Sequence, residues 1–434
     1  MKQTLPNGWK PRKYQWPLWK ALQDGKKRAI EIAHRRWGKD DVALHWTAVA
    51  AFQRVAPYWH LLPEASQARK AVWNSVNPHT GRRRIDEAFP LILRETTQEN
   101  EMFIRFINGS TWQVVGSDNY DSLVGSSPAG VVYSEFALAD PASWAYIRPI
   151  LVENDGWALF ITTARGNNHA KTLYDMAKQS PDWFAELSPA TKTSVFTAEQ
   201  LEKERLEYIG EYGEDLGRAI YEQEYLCSFA SAQLGAFYAP ALDAAERDGR
   251  ITSVPYDPGL QVYTAWDLGK RDFTAIWFCQ SVGKEIRLID YYEAAGQELA
   301  HYAKVLREKP YVYNEHYLPH DVTHELLGMP KTRAEQLESL GLKVVAGKNL
   351  SIEDGIGAAR RLIPQCWFDA KKCARGLDAL RSYRQKWDER LKNFSSVPIH
   401  DWSSHGADAF RELAVNLDVR PKSSWAAPST KWIV

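Results

Sequence analysis

A chain of 434 residues, 44% hydrophobic and 25% charged, has ample material for a folded core, which excludes a disordered chain and a small disulfide-stapled scaffold. Its 54 basic and 54 acidic residues cancel, so any nucleic-acid binding must rest on local patches such as Arg82-Arg83-Arg84. Four cysteines without a CxxC pair, and the lack of an apolar run of about 18 residues, argue against a structural zinc site, disulfides, export and a membrane span.

The first predicted elements, from residue 28 to residue 165, alternate between strands and helices. Short apolar runs such as RAIEIA, YWHLLP, GVVYSEF and WALFITT predict strands, and DDVALHWTAVAAFQRV predicts a helix between the first two. This alternation is typical of an α/β domain with a largely parallel sheet. We predict that this domain spans residues 1–190 and that a polar, helical linker follows over residues 191–239.

A second strand-rich region begins near residue 240. The runs LQVYTAWDLG, FTAIWFCQ and EIRLIDYYE are separated by short turns, which predicts a β-meander. Helical patterns then alternate with EHYLPHDV and LKVVAG, and the last helix lies in SHGADAFRELAVNLDV. We predict a second α/β domain over residues 240–419 and a flexible tail, rich in Pro and Ser, over residues 420–434.

The segment AIEIAHRRWGKDDVAL resembles a phosphate-binding loop in which Ala and Asp replace the opening Gly and the closing Ser or Thr. Gly38 and Lys39 match the Gly-Lys pair of the usual pattern. Backbone N–H groups at a helix start supply most of the phosphate contacts, and Lys39 would reach the terminal phosphates of ATP. The missing hydroxyl normally helps to hold Mg²⁺. Asp40 can replace it as a hard oxygen ligand, directly or through water, and Arg35 and Arg36 can offset the added negative charge.

Two later strand ends add to this nucleotide site. AGVVYSEFAL leads to Glu135, which would orient the attacking water, while Ser134 occupies the position where a metal-holding Asp is usual. LFITTARG ends in Thr162 and Thr163, and Thr163 is placed to sense the terminal phosphate. Each run alone is also explained as an ordinary buried strand. The three strand ends in this order favour an ATP site.

The stretches HRRWGKD, VVYSEFA and ITTARGNNH resemble the nucleotide-site motifs of bacteriophage large terminase subunits, the ATPases that drive viral DNA into preformed capsids. The resemblance continues through EQEYLCSF and GAFY and covers roughly residues 10 to 415. It implies an N-terminal P-loop ATPase domain of the ASCE type, in which Gln15 reads adenine and Arg35 stabilises transition-state charge. The arginine that this family often carries shortly before the acidic strand end has no match in DNYDSLVGSSPAG, which leaves Arg148 and Arg165 as alternatives.

Three aspartates in the second domain follow predicted strands or lie on a predicted helix. Asp267 ends the first meander strand, Asp321 follows HYLP, and Asp408 lies in HGADAFREL. Carboxylates that converge in this way can hold two divalent metals about 4 Å apart, one activating water and one stabilising the leaving oxygen. The terminase resemblance implies an RNase H-like nuclease domain in which these three aspartates are the catalytic metal ligands. Further candidates nearby are Asp272, Asp401 and His405.

The segment HDVTHE offers a competing interpretation. His320 and His324, at i and i+4, could share a zinc ion on a helix. Asp stands where the hydrolase motif has Glu, and no third ligand is evident, so a zinc hydrolase is the weaker interpretation.

The resemblance implies a packaging motor that translocates double-stranded DNA with ATP and cuts concatemeric DNA. Its cofactors would be ATP with Mg²⁺ in the first domain and two Mg²⁺ or Mn²⁺ in the second. Its partners would be double-stranded DNA, the portal protein of the procapsid, the small terminase subunit and copies of itself in a ring such as a pentamer, with a monomer as the alternative in solution. It would act in the host cell cytoplasm, transiently at the portal, and on no membrane. Two alternatives stay open: a helicase or repair translocase with a fused nuclease, and an inactive capsid-docking scaffold.

Overall fold

The computed structural model describes residues 8–118, 125, 127–230, 235–269, 273–324, 331–388 and 393–417. The chain divides into two compact units, Met1–Leu234 and Gly235–Val434. The helical stretch predicted as a linker therefore belongs to the first unit as far as residue 234, and the predicted boundaries at 190 and 239 stay predictions. The predicted tail, residues 420–434, lies outside the described residues.

The first unit is built on an eight-stranded sheet with the order β3-β4-β5-β2-β6-β7-β1-β8. From β5 to β8 all neighbours are parallel, whereas β3, β4 and β5 are antiparallel. Because β7 lies between β1 and β6, the sheet has the additional central strand of an ASCE-type ATPase, which confirms the predicted fold class. The strands are β1 (Arg28–Ala33), β2 (Pro57–Leu62), β3 (Arg94–Gln98), β4 (Phe103–Phe106), β5 (Thr111–Gly116), β6 (Gly130–Ser134), β7 (Trp157–Thr162) and β8 (Trp183–Ser188).

Helices cover both faces of this sheet, which explains why its central strands are continuous apolar runs rather than alternating ones. Along β7, Leu159 packs into one hydrophobic cluster and Phe160 into the other. Capping residues start several helices: Asn168 accepts hydrogen bonds from two backbone N–H groups of α6, and Thr197 forms a capping box in α8. The helices are α1 (Trp16–Gln23), α2 (Lys39–Gln53), α3 (Ala65–Ala68), α4 (Arg84–Ala88), α5 (Pro141–Glu153), α6 (His169–Gln179), α7 (Ala190–Thr193), α8 (Ala198–Tyr212) and α9 (Glu214–Leu226).

The second unit is built on a seven-stranded sheet with the order β14-β13-β10-β11-β12-β15-β9. The strands β10, β11 and β12 form the predicted antiparallel meander, and β13 then pairs parallel with β10. A three-strand meander extended by parallel strands beside its first strand is the RNase H-like arrangement, so this prediction is also confirmed. The strands of this sheet are β9 (Ile251–Thr252), β10 (Val262–Asp267), β11 (Phe273–Val282), β12 (Glu285–Ala295), β13 (Tyr313–Leu318), β14 (Val344–Ala346) and β15 (Cys366–Asp369). Two further strands, β16 (Gln385–Asp388) and β17 (Asn393–Pro398), pair antiparallel in a separate two-stranded sheet.

The last helix of the second unit, α15, packs on the meander. Its residues Ala407, Phe410 and Leu413 are fully buried and share a cluster with Trp277 of β11. This packing orients the helix face that carries Asp408. The helices are α10 (Ala239–Arg247), α11 (Leu299–Glu308), α12 (Arg333–Ser339), α13 (Ile352–Leu362), α14 (Ala374–Ser382) and α15 (Ser404–Asn416).

All four cysteines lie within the described residues, and each is buried and free of a disulfide. Burial raises the pKa of every one of these thiols. Among the residues that the structure describes, no helix is both long and apolar enough to cross a lipid bilayer.

Candidate functional site

The segment between β1 and α2 forms a tight loop at the start of α2. Gly38 precedes the helix with φ of 88°, a left-handed conformation that favours glycine. A Cβ here would also lie 2.9 Å from Nε2 of Gln15. Arg36 is left-handed as well, with φ of 71°, and such strain persists only where the surrounding structure enforces it. The loop ends at the N-terminus of a 15-residue helix, whose free N–H groups form an anion-binding site.

Lys39 lies in the first turn of α2 with its side chain inside the loop. Its Nζ donates hydrogen bonds to the backbone oxygen of Ala33, at 3.1 Å, and of His34, at 3.4 Å. The ammonium group of Lys39 therefore lies inside the loop that is predicted to bind phosphate.

A cavity of about 730 Å³ opens beside this loop, within the first unit. Its volume falls in the range of a small-molecule site. Two arginines in the loop give it positive charge, and the carboxylates at the ends of other elements give it negative charge. The predicted residues that line it are Arg35, Arg36, Gly38, Lys39, Asp40, Glu135 and Thr163.

Gln15 lies behind the loop. Its Nε2 donates to the backbone oxygen of Trp37 at 2.8 Å, and its Oε1 accepts from the backbone N–H of Arg12 at 2.9 Å. Gln15 is buried, so its amide braces the loop. Its predicted contact with adenine stays a prediction.

Asp40 receives two hydrogen bonds from strand residues. Ser134, at the end of β6, donates to Oδ1 at 2.7 Å, and Nε2 of His60 on β2 lies 3.3 Å from the same oxygen. Burial by itself raises the pKa of Asp40, but the bonds from His60 and Ser134 and the positive charge of Lys39 lower it overall. Asp40 therefore stays ionised and suits a cation.

Glu135 follows β6 in the left-handed conformation, with φ of 53°. Because β6 and β7 are parallel neighbours, their C-terminal ends lie side by side. Thr163, just after β7, donates from Oγ1 to Oε2 of Glu135 at 3.4 Å. The structure thus brings together the acid and the threonine that were predicted as water-orienting and phosphate-sensing residues.

Glu224 was missed by the sequence analysis. It lies on α9, is almost fully buried, and holds two arginines at the cavity: Nη1 of Arg165 is 2.7 Å from Oε1, and Nη1 of Arg35 is 3.6 Å from Oε2. The backbone N–H of Arg35 also donates to the backbone oxygen of Glu224 at 2.9 Å. The run EQEYL carried no signal for this role except that it belonged to the terminase resemblance.

In the second unit, Asp267 ends β10 and Asp408 lies on α15. Nδ1 of His405 is 3.0 Å from Oδ2 of Asp267. His405, one of the further candidates, therefore contacts the aspartate at the end of β10. Asp408 accepts from the hydroxyl of Tyr383 at 3.2 Å and pairs with Arg411 at 2.8 Å. Burial raises the pKa of Asp408 to about 6, and the charge of Asp267 contributes to the rise. The two carboxylates therefore interact electrostatically at one site.

Asp321 lies just after the C-terminal end of β13, on the side of the sheet where β10 also ends. It follows β13, the parallel neighbour of β10, in a short 3-10 turn, and its side chain is exposed. Among the described residues no group of three His, Cys, Asp or Glu side chains is close enough to hold a metal ion. The structure thus shows Asp267 and Asp408 within electrostatic range of each other, and it places Asp321 after the strand that neighbours the one that Asp267 ends. Asp272 lies outside the described residues, and Asp401 pairs with Arg384 at 2.9 Å.

Glu412 is a second residue that the sequence analysis missed. It lies one helical turn after Asp408, and burial raises its pKa to about 7, to which the charges of Asp267 and Asp408 contribute. A Cβ on Gly347, which follows β14, would meet its carboxylate, so Glu412 lies at the same sheet edge. Its i, i+4 spacing from Asp408 was the available signal.

The zinc interpretation of HDVTHE finds no support in the geometry. Residues His320–Thr323 form a 3-10 turn rather than an α-helix, so the i, i+4 register needed for a shared ion is lost. Among the residues that the structure describes, no His, Cys, Asp or Glu completes a group of three around these two histidines.

Comparisons with known proteins identify relatives for both units. No family model matches the chain. The terminase large subunit of Escherichia phage T5 is 24% identical over 332 residues, which cover 73% of this chain and 72% of that protein. The chain is similar to phage terminase large subunits. The resemblance that the motifs indicated is thereby confirmed.

Solved structures of large terminases also align with the chain. The large terminase of a thermophilic bacteriophage, in complex with ADP, is 16% identical and aligns over 94% of this chain and 99% of its own, with a TM-score of 0.40. The ATPase domain of the Thermus phage P74-26 large terminase is 21% identical over 51% of this chain and 95% of its own, with a TM-score of 0.42. The nuclease of thermophilic phage G20c, with bound cobalt, is 16% identical over 42% of this chain and 98% of its own, with a TM-score of 0.31.

Proposed function

We propose that the chain is a large terminase subunit that uses ATP to translocate double-stranded viral DNA into a procapsid and cuts concatemeric DNA with divalent metals. The observation that carries this proposal is the meeting of Lys39, Glu135 and Thr163 around one cavity at the ends of three neighbouring parallel strands. A phosphate-binding lysine and an acid at a strand end of the same sheet are two of the groups that recur in enzymes that hydrolyse nucleoside triphosphates.

In the first unit, the N-terminus of α2 and Lys39 bind the phosphates, and Glu135 orients the attacking water. Arg35, anchored by Glu224, supplies positive charge at the cavity. Thr163 contacts Glu135 and couples its position to the terminal phosphate. The ionised carboxylate of Asp40 fits a hard cation, and Mg²⁺ bound with ATP would neutralise charge that develops on the phosphates.

In the second unit, Asp267, Asp321 and Asp408 are the proposed metal ligands. His405 holds Asp267 through Oδ2, and Tyr383 holds Asp408 through Oδ1, so both carboxylates are oriented before a cation binds. This oxygen-rich set fits Mg²⁺ or Mn²⁺, and two such ions would activate water and stabilise the leaving oxygen of a DNA strand.

The finer assignments follow from the terminase likeness. They comprise the portal protein and the small terminase subunit as partners, a ring of copies such as a pentamer at the portal, and action in the host cytoplasm with ATP, Mg²⁺ and two nuclease metals. A DNA-translocating ring would place the two activities on one substrate.

The test is to measure ATP hydrolysis by the full chain with and without linear double-stranded DNA, and cleavage of supercoiled plasmid with and without Mg²⁺ or Mn²⁺. We expect DNA to stimulate ATP turnover, and metal to be required for cleavage. Lys39→Ala should remove only the first activity. Unwinding of a forked duplex would instead favour a helicase with a fused nuclease, and the absence of both activities would favour an inactive scaffold.

A further inference from the structure

The contact between Asp40 and Ser134 joins two positions that both depart from the usual phosphate site. These residues lie 94 positions apart in the chain, yet the Ser134 hydroxyl donates to Oδ1 of Asp40 at 2.7 Å. A carboxylate can only accept, so His60 must also donate to this oxygen, from Nε2 at 3.3 Å. Both bonds converge on Oδ1. Among the contacts of the described residues, Oδ2 receives no hydrogen bond, and Asp40 lines the cavity.

The usual site places a hydroxyl at the start of the helix and a carboxylate at the end of another strand of the same sheet, and both help to hold Mg²⁺. In this chain the same two groups are present and in contact, but in exchanged positions. We propose that Asp40 and Ser134 form one exchanged pair that holds the Mg²⁺ of MgATP, with Asp40 as the ligand and Ser134 as the residue that orients it. This proposal rests on the proposed ATPase function.

The surroundings favour a carboxylate at the helix position. Asp40 lies in the first turn of α2, where the helix dipole stabilises negative charge. His60 is fully buried on β2 and contacts the carboxylate from the sheet side. The negative charge for the cation comes from Asp40, so Ser134 can be an uncharged residue that orients the Asp40 carboxylate.

Single substitutions should therefore be poorly tolerated, although each restores one usual residue. Asp40→Thr leaves two hydroxyls in the pair and no carboxylate to bind the cation. Ser134→Asp places two carboxylates in contact, and their repulsion disfavours ionisation of both. Only the double substitution Asp40→Thr with Ser134→Asp restores one hydroxyl and one carboxylate.

The experiment is a double-mutant cycle on nucleotide binding. The affinity of the full chain for a fluorescent, non-hydrolysable ATP analogue is measured with Mg²⁺ and with EDTA, and Mn²⁺ binding in the presence of the analogue is followed by electron paramagnetic resonance. Each single variant should lose about tenfold or more of the gain in affinity that Mg²⁺ provides. The double variant should recover that gain to within about threefold of wild type. The affinity of each variant in EDTA is its own reference, so that only the gain in affinity from Mg²⁺ is compared between variants.

Asp41→Asn is the matched comparison, because Asp41 is the next carboxylate on α2 and pairs with Arg84 instead. It should leave the Mg²⁺-dependent gain unchanged. A double variant with losses equal to the sum of the single losses would overturn the exchanged pair, even if the wild type hydrolyses ATP. A wild type that binds no nucleotide at all would overturn the proposed ATPase together with the pair.

Discussion

Glu31 on β1 is in register with Glu186 on β8, so two carboxyl groups lie side by side in the sheet beneath the phosphate loop. Glu31 is fully buried, and burial, followed by the charge of Glu186, raises its pKa well above the ordinary value of a glutamate. Burial also raises the pKa of Glu186. This pair makes the stability of the first unit depend on pH.

Proton linkage gives the direction in which the stability of the first unit changes with pH. Because the folded pKa of Glu31 lies above its unfolded value, the native state keeps a proton that the unfolded chain releases. The stability that protonated Glu31 contributes is fully present below the pKa of this group in the unfolded chain, and it is lost as the pH rises through its pKa in the folded protein. We expect Glu31→Gln to raise the melting temperature more at about pH 8 than at about pH 5. The exposed Glu95→Gln is the control, and an equal effect of Glu31→Gln at both pH values would refute the argument.

Glu135→Gln should keep nucleotide binding and lose hydrolysis. The amide has the same size but cannot accept a proton from the attacking water, so ATP turnover should fall by about 100-fold or more. Affinity for a fluorescent ATP analogue should stay within about threefold of wild type, since the phosphate contacts come from the helix start and Lys39. Turnover within a few-fold of wild type would remove Glu135 from the catalytic role.

Asp267→Asn, Asp321→Asn and Asp408→Asn should each abolish Mg²⁺- or Mn²⁺-dependent cleavage of plasmid DNA while ATP hydrolysis persists. A lost carboxylate weakens the hold on cations, and the two activities lie in separate units. We expect the Asp267 substitution to be the most severe, because Asp267 ends β10, the first meander strand, which is best placed to supply a ligand shared by both metals. Asp248→Asn, on the surface of the same unit, serves as the control. If Asp321→Asn cleaves normally, the exposed aspartate is no ligand.

Metal binding to the second unit should strengthen as pH rises through about 6, because Asp408, with its pKa raised to about 6 by burial, must release its proton before it binds a cation. The Tyr383 hydroxyl, a hydrogen-bond donor to Asp408, lowers that pKa. Tyr383→Phe should therefore shift the midpoint of Mn²⁺ binding to higher pH. Titration calorimetry at several pH values measures this, and an unchanged midpoint would contradict it.

Much of the first site could be predicted from local sequence. The loop that holds Lys39, the strand before Glu135 and the strand before Thr163 are each contiguous runs, and parallel strands bring their ends to one edge. The meander that carries Asp267 was equally local. In each case the information lay within about 18 neighbouring residues, which is the range over which periodicity can be read.

Contacts between distant segments could not be predicted in this way. Glu224 lies on a helix far along the chain from Arg35, and nothing in EQEYL indicates that it anchors arginines. In the sequence, Asp40 and Ser134 are two separate departures from the usual motif. Only the folded structure shows that they are hydrogen-bonded to each other. The bracing role of Gln15 likewise depends on how α1 packs behind the loop.

The four buried cysteines have a practical consequence for studying motion. Their raised pKa values and burial keep them protonated and shielded from maleimide dyes at neutral pH. A single cysteine placed at an exposed position, such as Glu207→Cys on α8, would then be the reactive thiol without removal of any native one. Fluorophores attached in this way could follow individual molecules on DNA in an otherwise unaltered chain.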